Sequence, residues 1–373
     1  MATTPEQSLK PLVLLGEAMG EAEQRLGVGF VGSSGIELLR MLNEAGVIEL
    51  TETDHRYLSK FYQSSDNHLI DAIWRLHPEV HRTNVFQLHP PGNKLEAFCG
   101  PKGEGLPGFG PLLQSKYVRR EFAYELDRLG DELLSVDPNL VVCLGNTALW
   151  ALTGAGGITK HRGTTRLSTH CAADFKLLST FHPAAVLRQW ELRPTTIIDL
   201  MKAAREREFP EIRRPQRLIW IEPDHKDMER FYDAHIRRCR LLSVDIETRR
   251  DQITEIGFAP DERHSIVIPF YDSRKKGRNY WPSTTDERRA IGFVRRVLED
   301  RTIPKLFQNG LYDIAFLWRC WGIKTLGAEE DTMLLHHALQ PESLKGLGFL
   351  GSIYTDEGAW KQMRKHGTIK RDD

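Results

Sequence analysis

Leu241-Leu-Ser-Val-Asp245-Ile-Glu247-Thr248 is the stretch on which the reading of this chain turns. Apolar Leu241, Leu242, Val244 and Ile246 predict a buried strand. Strand side chains two residues apart share a face, so Asp245 and Glu247 emerge together. Two carboxylates that close repel unless a cation lies between them, and hard divalent ions such as Mg2+ or Mn2+ take carboxylate oxygens. Asp-x-Glu alone also describes an exposed strand end with two solvated acids.

The residues after this stretch extend the pattern. Ile253–Ala259 and Ser265–Phe270 read as strands joined by short turns, so antiparallel neighbours are expected. Leu218–Ile221 reads as a strand before them. Thr285–Asp300 has helical spacing at Ile291, Val294 and Leu298, with Asp286 and Glu287 in its first turn. Ile303–Phe307 reads as a strand leading into Gln308-Asn309-Gly310-Leu-Tyr312-Asp313. A helix with Ile314, Leu317 and Trp321 on one face follows. Asp313 falls in its first turn, where it can face the same point as Asp245 and Glu247. Asp331-Thr-Met-Leu and Ser343-Leu-Lys-Gly-Leu open two further helical stretches, with Asp331 placed to cap the first.

Upstream the chain changes character. Pro11–Leu15 reads as a buried strand that runs into a glycine turn, Gly16-Glu17-Ala-Met19-Gly20. Gly27-Val-Gly-Phe30-Val-Gly32-Ser-Ser-Gly35 precedes a helical pattern at Ile36, Leu38, Leu39 and Leu42. Thr83–Phe86, Asn139–Leu144 and Lys176–Phe181 read as further strands separated by helical segments, which argues for a parallel sheet. Ligands of open α/β sheets lie beyond the carboxyl ends of the strands, where Glu17, Asn84 and His182 fall. Taken singly, Phe30 also reads as core, Asn84 as a strand-end cap and His182 as a satisfied buried histidine. Residues 94–116, rich in Gly and Pro, look like an insertion. Arg205–Arg217, charged and interrupted by Pro210 and Pro215, reads as a linker.

Two resemblances follow from these motifs. Gly-Glu-Ala-x-Gly, Phe-Val-Gly-x-Ser-Gly, Asn-Val…Pro-Pro-Gly-Asn, Leu-Gly-x-x-Ala, Lys-x-Arg-Gly and His-Pro-x-x-x-Leu-Arg, in that order over about residues 11–205, resemble the uracil-DNA glycosylase superfamily, closest to its family 4 branch. The resemblance implies that Glu17 helps place or activate water by the glycosidic bond. It also implies that Phe30 stacks on a flipped base, Asn84 pairs with the uracil edge and His182 faces its O2. A carboxamide can offer uracil both a donor and an acceptor, and an aromatic face repays part of the unstacking energy. Met19 stands where proline is usual. Family 4 members usually hold an iron–sulfur cluster on four cysteines; an N-terminal cysteine pair is missing here, so no cluster is expected.

Asp245-Ile-Glu247-Thr, Asn309-x-x-x-Asp313, Asp331-Thr-Met-Leu and Ser343-Leu-Lys-x-Leu resemble ribonuclease H-like 3′–5′ exonucleases, in particular the proofreading module of family A DNA polymerases. This resemblance implies two divalent ions, Mg2+ or Mn2+, with Asp245 bridging them, Glu247 on the water-activating ion and Asp313 on the other. The fourth carboxylate of that family has no matching motif. Asp356, Asp372 and Asp373 are the acids left to replace it.

Composition bounds the rest. Lys+Arg and Asp+Glu each number 51 among 373 residues, so net charge excludes no polyanionic partner. Arg237-Arg238-x-Arg240, Arg249-Arg250 and Arg274-Lys275-Lys276-Gly-Arg278 are basic clusters flanking the acidic stretch, which suits a phosphate backbone. Five scattered cysteines without a Cys-x-x-Cys argue against a disulfide framework or a zinc site. No apolar run approaches a membrane span of ~20 residues. The start lacks a signal-peptide pattern, and a cytoplasmic setting, in a bacterium or a phage-infected host, is expected.

The expected architecture is α/β in two domains: a three-layer α/β/α glycosylase-like domain at 1–210, a linker at 211–217, and a ribonuclease H-like mixed-sheet exonuclease domain at 218–373. The expected function is uracil or damaged-base recognition and excision combined with metal-dependent 3′–5′ exonuclease activity. DNA, single-stranded or at 3′ ends, is the expected partner, with a DNA polymerase as a companion. The alternative is a non-catalytic DNA-binding accessory module.

Overall fold

The computed structural model describes residues 10–64 and 66–359. The chain divides into two compact units, 1–213 with 351–373, and 214–350. Both units are α/β, each built on its own sheet.

The first unit is organised on β1 (Leu12–Ala18) and β2 (Val80–Phe86). A short antiparallel ribbon, β3 (Cys99–Gly100) with β4 (Tyr117–Val118), occupies the Gly/Pro-rich insertion. β5 (Val141–Leu144), β6 (Thr165–Leu167) and β7 (Lys176–Thr180) complete the main sheet. Its order is β2-β1-β5-β7-β6, parallel except for β6. Successive β1 residues serve opposite faces, as a strand demands. Leu12 and Leu14 join a core with Ile36, Leu39 and Leu200, whereas Val13 and Leu15 join one with Leu129, Leu133 and Trp150. Helices Ser33–Glu44 and Arg193–Glu206 cover one face; Ala123–Val136 and Asn146–Thr153 cover the other. A strand apolar on both sides can only sit between two helical layers. The expected turn at Gly16–Gly20 starts later, because β1 stays paired with β2 through Ala18.

The second unit holds β8 (Leu218–Ile221), β9 (Leu242–Arg249), β10 (Gln252–Ala259), β11 (His264–Pro269), β12 (Lys305–Phe307) and β13 (Ala328–Asp331). The order is β13-β12-β9-β10-β11-β8, with β9, β10 and β11 antiparallel and the other neighbours parallel. β9 alternates strictly: Leu242, Val244 and Ile246 are buried, Ser243, Asp245 and Glu247 exposed. The buried set packs on Phe293, Val294 and Val297 of helix Thr284–Glu299 and on Phe316 and Leu317 of helix Gly310–Trp321. Ser283 caps the first of these helices through Asp286 N. β13 lies outside the strands expected from sequence, and helix Leu347–Tyr354 starts four residues after Ser343.

The expected segment 218–373 is not one unit. Arg162 Nη1 donates to Ser352 Oγ at 2.8 Å, and Lys202 Nζ donates to Ser352 O and Thr355 O at 3.3 and 2.6 Å. Arg162 itself is paired with Asp199, both side chains almost wholly buried. Residues from Gly351 therefore complete a buried polar network of the first unit, a long-range pairing that no local periodicity encodes. No helix of the described residues is long and apolar enough to cross a membrane.

Candidate functional site

In the first unit the residues singled out by sequence meet around Gly16. Gly16 pairs with Asn84 in the β1–β2 register. A Cβ there would lie 2.2 Å from Asn84 Oδ1 and 2.6 Å from Phe30 Cζ, so only glycine lets these two side chains reach the strand backbone. Asn84 is buried, and its Nδ2 lies 3.5 Å from Met19 Sδ. The Phe30 ring stands 6.1 Å from the His182 ring, tilted by 30°.

His182 caps helix Pro183–Arg188: its Nδ1 accepts from Ala184 N at 3.1 Å. Burial pushes its pKa down to about 4, so near neutral pH the imidazole is uncharged. With Nδ1 accepting, its proton is on Nε2, which is free to donate. Glu17 sits near the end of β1, and its carboxylate accepts from Thr147 Oγ1 at 2.7 Å. Burial raises the Glu17 pKa, against the hydrogen bond from Thr147.

Sequence reading missed the residues that hold Phe30. Phe30 has φ +57°, a left-handed backbone that is costly for an aromatic residue. Its carbonyl accepts from Trp74 Nε1 at 2.9 Å, and Arg82 Nη1 donates to Gly29 O at 2.9 Å. The half-buried Glu23 carboxylate, raised in pKa by partial burial, is hydrogen-bonded by the Gly20, Phe30 and Val31 amides. The only local signal was Glu23, three residues after Gly20, a capping-box spacing.

In the second unit Asp245 and Glu247 stand exposed on one face of β9. Asp313, in the first turn of helix Gly310–Trp321, is buried, and its Oδ1 accepts from Ile246 N at 3.1 Å. Burial first, and then the charge of Asp245, push the Asp313 pKa up to about 6. Tyr312 OH lies 2.8 Å from Thr248 Oγ1. Asp331 is anchored by the amides of Asn309 (3.1 Å), Gly310 (2.8 Å) and Met333 (2.8 Å). Burial alone would raise Asp331, yet these amides hold its pKa below the usual carboxylate value. Asp331 thus caps helix Thr332–Leu339, as its motif suggested, and also ties down the Asn309–Gly310 start of the helix that carries Asp313. Glu255 of β10, overlooked in the sequence, pairs with Glu247 of β9, and burial together with the Glu247 charge raises its pKa. Asp356 pairs with Lys202 and Arg205 in the first unit, while Asp372 and Asp373 lie outside the described residues.

Among the described residues no three His, Cys, Asp or Glu side chains are gathered closely enough to hold a metal ion. The donor chemistry of Asp245, Glu247 and Asp313 nevertheless suits a hard dication: all donors are oxygens, and Asp245 already disfavours ionised Asp313, a repulsion a cation would relieve. An iron–sulfur cluster does not fit the first unit. It has three cysteines, Cys99, Cys143 and Cys171, each a free thiol. Burial pushes Cys143 and Cys171 up to about 12, whereas a cluster needs four thiolates.

Comparison with known proteins gives two family matches. The uracil DNA glycosylase superfamily matches residues 5–205, and the 3′–5′ exonuclease family of DNA polymerase A type matches residues 224–366. A DNA polymerase of Bacillus phage SP01 is 24% identical over 247 residues, covering 58% of this chain. The chain spans only 25% of that polymerase. A type-4 uracil-DNA glycosylase of Thermotoga maritima is 26% identical over 196 residues, 52% of this chain and 75% of its own length. Among solved structures, Brucella melitensis NrnC overlaps 39% of this chain and 63% of its own, at 17% identity and a TM-score of 0.27.

Proposed function

We propose that this chain, which belongs to the uracil DNA glycosylase superfamily and carries a 3′–5′ exonuclease domain, recognises uracil or a damaged base in DNA and removes nucleotides from 3′ ends. The observation that carries the nuclease half is the Asp313 carboxylate hydrogen-bonded to the amide between Asp245 and Glu247. Asp245, Glu247 and Asp313 would hold divalent ions, Mg2+ or Mn2+. Such ions supply an activated water and offset charge on the phosphodiester.

For the base-recognition half, the reading rests on Asn84, Phe30 and His182 around Gly16. Phe30 would stack on the base, and Asn84 would bond its edge. The Nε2–H of neutral His182 would donate to the carbonyl on which negative charge grows as the glycosidic bond breaks. Glu17 would orient the attacking water. The test uses the full chain with end-labelled DNA. Single-stranded oligonucleotides with Mg2+ or Mn2+ should shorten from the 3′ end, and uracil-bearing DNA should become alkali-labile. No shortening with either metal, and no abasic product, overturns this function.

A second reading, a non-catalytic DNA-binding module that accompanies a polymerase, is favoured by two observations. Asn84 Nδ2 already donates to Met19 Sδ, and the acidic residues are not gathered into a ligand cluster among the described residues. Tight DNA binding without either product would select it.

A further inference from the structure

The basic pairs noted in the sequence are not spread evenly around the second unit. β9 and β10 turn sharply at Arg249-Arg250-Asp251, where Arg250 takes φ +53°. Beside this turn lies a cleft of about 800 Å³ lined by Arg249, Arg250 and Arg278, with Tyr271 and Trp321 among its aromatic walls. None of these three arginines has a carboxylate partner among the described residues, whereas both acids of the cleft are already engaged. Asp251 pairs with Arg319 at 3.3 Å, and Glu287 accepts from Asn279 Nδ2 at 3.0 Å. Arg249 donates to Tyr271 OH and lies 5.1 Å from the centre of its ring. Trp321, half-buried, packs on Phe270 with ring centres 4.6 Å apart.

We propose that this cleft is a binding site for single-stranded nucleic acid, distinct from the carboxylates. Three guanidinium groups without a carboxylate partner favour an anion, and arginine forks match phosphate oxygens. Flanking aromatic faces suit unpaired bases, since stacking accepts any base. Position on β9 favours a nucleic-acid strand over a small anion. Arg249 continues the exposed face of Asp245 and Glu247, and two strand residues span roughly 7 Å, so the cleft begins beside the acids. The occupant is therefore the part of a strand that lies 5′ of an end held at Asp245 and Glu247; this direction, unlike the binding itself, rests on the 3′–5′ reading.

The test is fluorescence anisotropy of the full chain with a labelled oligo(dC) of about 12 nucleotides, within the range one such site spans. It is run in a chelator, so that cleavage plays no part. Arg250→Ala and Arg278→Ala should each weaken binding several-fold and lower the log–log salt slope by about 1. Arg301→Ala, an exposed arginine outside the cleft, should change neither. Unchanged affinity in both cleft variants, or an equal loss with Arg301→Ala, overturns the site. Competition by poly-glutamate as strong as by unlabelled oligo(dC) assigns the cleft to acidic peptides and also overturns it. Asp245→Ala separates the two readings: with metal it should lose cleavage, and in chelator it should bind as wild type. If instead it cleaves normally, the exonuclease reading fails while the anisotropy result still decides the cleft.

Discussion

Ile246 N donates to Asp313 Oδ1 across 3.1 Å, so a carboxylate from one helix is fixed to the backbone of the strand that carries Asp245 and Glu247. The two elements are 67 residues apart in sequence. This bond fixes the buried Asp313 against the strand between Asp245 and Glu247, close enough for the Asp245 charge to raise its pKa.

Asp245→Ala should abolish 3′ shortening of labelled single-stranded DNA, because Asp245 shares its strand face with Glu247 and its charge also reaches Asp313. Wild-type activity should be weak and higher with Mn2+ than with Mg2+, since Mg2+ insists on near-ideal octahedral geometry. Asp331→Ala removes the anchor of the Asn309–Gly310 loop and should lower metal affinity or rate about ten- to a hundredfold. Equal gel profiles for wild type and Asp245→Ala would refute the nuclease assignment.

Asn84→Asp and His182→Ala should each weaken uracil-DNA binding by about 1–3 kcal/mol, the cost of an unmade buried hydrogen bond. Exonuclease activity should persist in both. Gel-shift affinities for uracil-bearing and thymine-bearing duplexes, compared side by side, give the difference directly.

Gly16→Ala should be as damaging as either, although it removes no polar group. Its Cβ would overlap Asn84 Oδ1 and Phe30 Cζ, forcing both side chains out of place. Loss of uracil discrimination with nuclease activity retained is the expected pattern. Retained discrimination would show that the two side chains do not act from this position.

Removing residues 351–373 should lower the thermal midpoint of the first unit, although these residues follow the second unit in sequence. Ser352→Ala should cost about 1 kcal/mol. Asp199→Ala leaves Arg162 buried without its partner and should cost about 3–5 kcal/mol. Thermal unfolding followed by tryptophan fluorescence measures all three.

Stability should fall on acidification between about pH 6.5 and 4. His161 and His182 are both depressed to about 4 by burial. Below 6.5 the unfolded chain therefore binds protons that the folded chain refuses, and each histidine adds a slope of up to about 1.4 kcal/mol per pH unit. His161→Gln and His182→Gln should each flatten the pH dependence of the melting temperature in this window. A slope unchanged in both variants would contradict the assignment.

Local sequence determined the strands and the placement of most candidate site residues along them. Alternation put Asp245 and Glu247 on one face of β9, and the apolar run Leu12–Leu15 required a sheet covered on both sides. Glu17 and His182 were legible because they follow apolar strand runs, Asn84 because it stands beside Val85 and Phe86 in one, and Asp331 because capping residues precede helices. These are short-range patterns, set by the two-residue period of a strand and the end chemistry of a helix.

Tertiary structure decided what depends on distant parts of the chain meeting. The left-handed Phe30 is held by Trp74, 44 residues away. Glu255 faces Glu247 only through the β9–β10 register. Arg162 finds Ser352 across 190 residues, which moved the boundary expected at 218–373. The arginine cleft likewise forms only when the β9–β10 turn, the end of β11 and the end of helix Gly310–Trp321 come together. Such contacts depend on loop closure and burial rather than on period, and no local pattern of residues records them.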